Sequence, residues 1–144
     1  MIDHKIEADI ELLFYGYRAF TAQADALLAE RQWNRVHHRV LYFVARNPGI
    51  AVNQLLGKLG VSKQALHGPM KALQSAELIE TRSEDSDKRV KNLYLTVAGC
   101  ELENELTSPQ RDLLKEIETE LGSETIEAWR AMMLALSNKI ITKA

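Results

Sequence analysis

Apolar residues recur every three or four positions from residue 3 to residue 31, at Ile6, Ile10, Leu13, Phe14, Tyr17, Phe20, Ala24, Leu27 and Leu28, and the spacing predicts one long helix with no proline to interrupt it. Val36, Val40, Phe43 and Val44 set a second helix over 34–46. Asn47-Pro48-Gly49 ends it, because proline disfavours helical geometry in the residue before it and glycine permits the turn. Leu55, Leu56 and Leu59 predict a short third helix from near Asn53, its first turn undefined because Ala51 and Val52 are poor caps. Gly60 then supplies a left-handed residue, Val61 points inward and Ser62 caps a fourth helix over 63–76. In that helix Leu66, Met70 and Leu73 share the face expected to pack on the third, which leaves Lys63, Gln64, His67, Lys71 and Gln74 on the outer side. Gly68-Pro69 falls inside it and predicts a kink, because proline removes the backbone bond to Ala65.

After Leu78 the period changes from 3.6 to 2. Ile79, Thr81 and Ser83 alternate with Glu80, Arg82 and Glu84, and Leu93 and Leu95 alternate with Asn92 and Tyr94, so two short strands follow the helices. The polar run from Ser83 to Lys91 between them should project as a hairpin tip. Thr96 is placed to cap a helix carrying Leu102 and Leu106. Ser108-Pro109 predicts a kink or restart there, before Leu113, Leu114, Ile117 and Leu121 continue the apolar face. Gly122-Ser123 closes that helix and caps the last, on Ile126, Trp129, Met132, Met133, Leu136, Ile140 and Ile141. The fold class is mainly α with a small β hairpin (α+β): a single domain over 1–144, with a central lobe at 34–96 between helical segments 1–31 and 97–144.

Composition narrows the classes. With 144 residues, 46% hydrophobic and 26% charged, the chain can bury roughly two thirds of its unfolded surface and needs neither metal nor crosslink to fold. A lone cysteine and an acid-studded start, MIDHKIEADIELLFYGY, lead to the expectation of a cytoplasmic protein with no membrane segment. The net charge of -2 is unevenly spread: residues 1–30 carry -4 and residues 98–144 another -4, whereas residues 31–76 contain no acid and carry +7 from Arg31, Arg35, Arg39, Arg46, Lys58, Lys63 and Lys71. Such a window in an acidic chain is a candidate anion-facing surface, the alternative being solvated helix faces.

Lys and Gln hydrogen-bond base edges, a capped helix amino end favours phosphate, and a major groove about 12 Å wide admits one helix. The predicted kink at Pro69 either helps the helix follow such a groove or relieves crowding against the second helix. The order of helix, glycine turn, helix and charged hairpin resembles the winged helix-turn-helix. More specifically, Asp87-Lys88-Arg89-Val90-Lys91-Asn92-Leu93-Tyr94-Leu95-Thr96 followed by Gly99 is similar to the wing signature of the MarR repressors, and Gly60-Val61-Ser62-Lys63-Gln64-Ala65-Leu66 resembles the start of their recognition helix. The resemblance implies a homodimeric transcriptional regulator, with Arg89 at the wing tip reaching the minor groove of double-stranded DNA and Asp87 orienting it. An arginine there gains from the enhanced negative potential of a narrow groove, whereas Asp87 would be repelled by phosphate unless paired. The residues expected at DNA are Ser62, Lys63, Gln64, His67, Lys71, Arg82, Asp87, Lys88, Arg89 and Lys91.

Dimerisation has its own argument. A first helix of about 29 residues is roughly 43 Å long, whereas a globule of this size is about 35 to 40 Å across, so an apolar overhang needs a partner. Catalysis is not expected: His37, His38, His67 and Cys100 form no metal or nucleophile motif, adjacent histidines point about 100° apart on a helix, and no cofactor is implied. Glu101 and Glu103 oppose activation of the Cys100 thiol, which is read as inert. The family resemblance also implies a small aromatic or phenolic effector, for which Phe14, Tyr17, Trp33 and His37 are candidate lining residues, the alternative being ordinary core packing. The rival reading for the whole chain is a winged-helix protein-interaction module that does not bind DNA.

Overall fold

The computed structural model describes residues 4–83 and 89–139, in two compact units, 1–110 and 111–144. The first holds α1 (His4–Ala29), α2 (Arg35–Arg46), β1 (Ile50–Ala51), α3 (Val52–Leu59), α4 (Lys63–Ser75), β2 (Ile79–Ser83), β3 (Lys91–Leu95) and the opening turns of α5 (Val97–Leu121). The second holds the remaining turns of α5 and α6 (Ser123–Ser137). The fold is therefore mainly helical with a small antiparallel sheet, in strand order β1-β3-β2.

In the first unit the apolar stripes converge on one core in which Leu28, Val40, Leu41, Val44, Leu55, Leu66, Leu73, Leu93 and Leu106 are fully buried. Each such side chain contributes about 1.5–3 kcal/mol of transfer free energy. Asn34 caps α2 by accepting the Val36 N–H at 2.9 Å, and Asn47 closes it by donating from its side chain to the Phe43 carbonyl at 2.8 Å. Gly49, at φ +87, then turns the chain so that its N–H reaches the Leu93 carbonyl at 2.8 Å. That turn delivers Ile50 opposite Leu93 and creates β1, a strand the sequence pattern did not predict.

Two predicted interruptions do not break their helices. α4 runs unbroken through Pro69 and α5 through Pro109. On either side of Pro69, Leu66, Met70 and Leu73 are held in the core, and Leu102, Leu106 and Thr107 hold the turns before Pro109, so the missing backbone bond is absorbed by anchored neighbours. Ser108 starts no new helix; its hydroxyl reaches back one turn to Asn104 at 3.2 Å. Ser123 is likewise the first residue of α6, and Gly122, at φ +94, occupies the capping position.

A clasp joins α4, β2 and α5. Glu77 takes the left-handed conformation at φ +60, and the Leu78 N–H donates to Leu73 O at 3.0 Å, which closes α4 in a Schellman turn. The Thr96 hydroxyl donates to the Glu77 carbonyl at 2.7 Å and accepts the Gly99 N–H at 3.0 Å, while its own N–H donates to Leu78 O at 3.0 Å. A polar seam joins α2 to the opening turns of α5: His38 Nε2 lies 3.0 Å from Thr107 Oγ1, and Arg46 is ion-paired with the buried Glu103.

In the second unit Leu114, Ile117 and Leu121 follow one another along one face of α5, and all three are exposed in the single chain, as are Trp129, Met132 and Leu136 of α6. No helix among the described residues is long and apolar enough to cross a membrane.

Candidate nucleic-acid interface

α3 and α4 meet at Gly60, whose φ of +66 is the left-handed geometry that glycine adopts without strain, and its N–H closes α3 on Leu56 O at 2.9 Å. One residue past Val61, Ser62 Oγ accepts the Ala65 N–H at 3.1 Å and so sets the start of α4. With Leu66, Met70 and Leu73 turned into the core, Ser62, Lys63, Gln64, His67 and Lys71 are all exposed on the outward side of the α4 segment. The structure thus brings the five expected α4-side residues onto one surface.

The hairpin stands beside that helix. β2 and β3 pair with Ile79 opposite Leu95, Thr81 opposite Leu93 and Ser83 opposite Lys91, so Ile79 and Leu93 face the core while Glu80, Arg82, Asn92 and Tyr94 occupy the other face. Gln74, in the last turn of α4, donates to Thr81 Oγ1 at 3.0 Å and ties helix to hairpin. Lys91 Nζ donates to Ser83 Oγ at 3.1 Å. Arg82 bonds Glu80 at 2.6 Å and lies over the Tyr94 ring, 4.0 Å from its centroid. The hydrogen bond to Glu80 also moves the Arg82 pKa further above its already high value. Arg89 is described and exposed at the end of the hairpin connection, whereas Asp87 and Lys88 lie outside the described residues.

The histidines expected to be structural are buried. His37 Nδ1 accepts the Asn34 N–H at 3.1 Å and its ring stacks on Trp33 at 5.0 Å, while His38 joins the α2–α5 seam. Burial lowers the pKa of both rings. Among the described residues no three His, Cys, Asp or Glu side chains converge on a point where a metal could sit.

An aromatic-lined cavity of about 490 Å³ opens between α1, α2, α3 and α5, on Tyr17, Phe20, His38, Tyr42 and Phe43, with Asp25, Arg35 and Arg39 at its polar edge. Of the four residues expected to line an effector site, Tyr17 belongs to this lining; Phe14, Trp33 and His37 do not. Arg35 pairs with Asp25 at 3.0 Å and lies over the Tyr17 ring, and Arg39 donates to the Tyr17 hydroxyl. Tyr42 and Phe43 were legible as α2 aromatics, but their convergence with Tyr17 and Phe20 was not, because it requires the crossing of α1 and α2.

A capped helix presenting Lys, Gln and His, fed by a glycine turn and flanked by an antiparallel hairpin, defines the winged helix-turn-helix class. The MarR family matches residues 33–90. The HTH-type transcriptional regulator PetP of Rhodobacter capsulatus is 35% identical over 136 residues, covering 94% of this chain and 82% of its own length. Among solved structures, Streptococcus pneumoniae FabT in complex with DNA superposes with TM-score 0.80 at 15% identity, covering 92% of this chain and 95% of that one. A MepR–DNA complex from S. aureus gives 0.73 at 19% identity, with 90% and 96% covered. This chain belongs to the MarR family of transcription regulators.

Proposed function

We propose that the protein is a sequence-specific DNA-binding regulator acting as a homodimer, with α4 in the major groove and Arg89 of the wing in the minor groove. One observation carries the reading: the acid-free +7 stretch of an otherwise acidic chain is the stretch that folds into α2, α3 and α4, with Lys63, Gln64, His67 and Lys71 exposed together. Residues 34–96 form the DNA-binding lobe in this reading, and the helical segments 1–31 and 97–144 dimerise through the exposed faces of α1, α5 and α6. Recognition helices about 34–36 Å apart would select a near-palindromic duplex with half-sites one turn apart. A dimer seated on such a site excludes other proteins from it, so the regulator acts as a repressor. Entry of a small aromatic molecule into the cavity beside Tyr17 releases the DNA.

The test is selection of bound duplexes from a random pool, followed by a salt titration on the winner. A repeated half-site is expected. If the dimer neutralises about 8 phosphates, affinity falls by about four decades between 50 and 200 mM salt. Arg89→Ala is expected to weaken binding while circular dichroism and sizing stay unchanged. No enrichment and a flat salt response would leave the protein-interaction module as the better account.

A further inference from the structure

Gly68 sits in the middle of α4 and is exposed; its φ is not among the positive ones, and a Cβ built on it meets nothing within 4 Å. Glycine is among the poorest residues for a helix interior, so its presence there calls for a reason. Part of that reason is internal, since the ring of Pro69 crowds any Cβ on the preceding residue. Open surroundings alone carry no argument, because Gly57 in α3 shares them. Position does. Gln64 lies four residues before Gly68 and Lys71 three after, both exposed, and these spacings put all three on one helix face. The outward ridge of α4 is therefore two long polar side chains with a notch between them, floored by backbone and bordered by the half-buried Pro69 ring.

The notch has a definite chemistry. Its border is apolar and Pro69 has no N–H, so it is a poor seat for phosphate, while the hydrogen-bonding heads of Gln64 and Lys71 stand to either side. The one apolar group that projects from base edges into the major groove is the C5-methyl of thymine. We propose that the Gly68–Pro69 notch receives a thymine methyl, so that each half-site is read at one position by shape, between bases or phosphates contacted by Gln64 and Lys71. This deepens the DNA-binding reading and rests on it.

The experiment changes the DNA first. In the duplex selected by the wild-type protein, each thymine is replaced in turn by deoxyuridine, which lacks only the methyl group. One thymine per half-site is expected to be sensitive, with affinity falling about fourfold for the loss of one buried methyl. Gly68→Ala fills the notch, and for this variant the thymine-over-uridine preference at that position should fall to near one. Gly57→Ala, the same change on α3, should keep the preference. Thermal melts read whether each variant is folded, and the wild-type deoxyuridine scan stands whatever they show. If no thymine is sensitive, or if Gly68→Ala retains the wild-type ratio, the notch reads nothing and the inference fails while the DNA-binding reading survives. If the wild-type protein selects no duplex, both fail.

Discussion

A methyl group added at Gly99 would place its carbon 2.1 Å from the carbonyl oxygen of Leu78, and backbone offers no rotamer by which to step aside. Gly99→Ala is therefore expected to cost about 3 kcal/mol or more, the upper range for overpacking, read as a lower denaturant midpoint. An unchanged midpoint would mean that the clasp at Thr96 is looser than its bonds imply. His37 and His38 give a pH prediction with a definite sign. Burial lowers both pKa values in the fold, so below the ordinary histidine range of about 6.5 the unfolded chain binds more protons than the native one. Their contribution is complete above that range and is lost as pH falls from about 6.5 toward the lowered values. Denaturation at pH 7.5 and 5.5 should show the loss, and His38→Asn should reduce the difference between the two. A variant with the wild-type pH dependence would exclude His38 as a source. At this scale the sequence revealed which residues are chemically able, and it left open which are already engaged. Arg82 was expected at DNA, and the register that places it against Glu80 and Tyr94 is set by a pairing that no local pattern announces.

Among the elements, α4 lends itself to separating charge from sequence reading. Lys63→Ala and Lys71→Ala are each expected to lower affinity about equally for all duplexes and to reduce the salt slope by about one, whereas Gln64→Ala should alter which bases are preferred. Titrations on the selected duplex and a scrambled one distinguish these outcomes; a lysine variant with an unchanged slope makes no phosphate contact. Helix positions were legible because burial in this small lobe follows the 3.6 period closely: α2 was expected over 34–46 and is Arg35–Arg46, and α4 was expected over 63–76 and is Lys63–Ser75. β1 was not legible. Two residues carry no period, and Ile50-Ala51 becomes a strand only because Leu93 and Asn92 arrive beside it from far along the chain. The proline interruptions were over-read for a related reason, since local propensity was weighed without the core contacts that hold each helix on both sides of its missing bond.

For the whole molecule, the exposed face of α1 makes a test of assembly. Ile10, Leu13, Phe14 and Tyr17 are all exposed in the single chain, with Phe14 at 68%. Phe14→Glu is expected to convert a dimer into a monomer with its helix content retained, by light scattering and circular dichroism; an unchanged mass would move the interface elsewhere. The division of charge between the lobe and its flanking helices was visible in the sequence, because it is a property of segments, while the cavity beside Tyr17 was largely hidden, because separate helices each supply one wall. The Thr96 clasp has a mechanical consequence. By gripping the carbonyl of Glu77 and the amide of Gly99 with a single hydroxyl, it makes the end of α4, the root of the hairpin and the first turn of α5 parts of one rigid bracket. A rotation of α5 by a few degrees would then swing the reading helix and the hairpin together, as a lever turns about its fulcrum, and a signal received elsewhere along α5 would need no other linkage to move both grips at once.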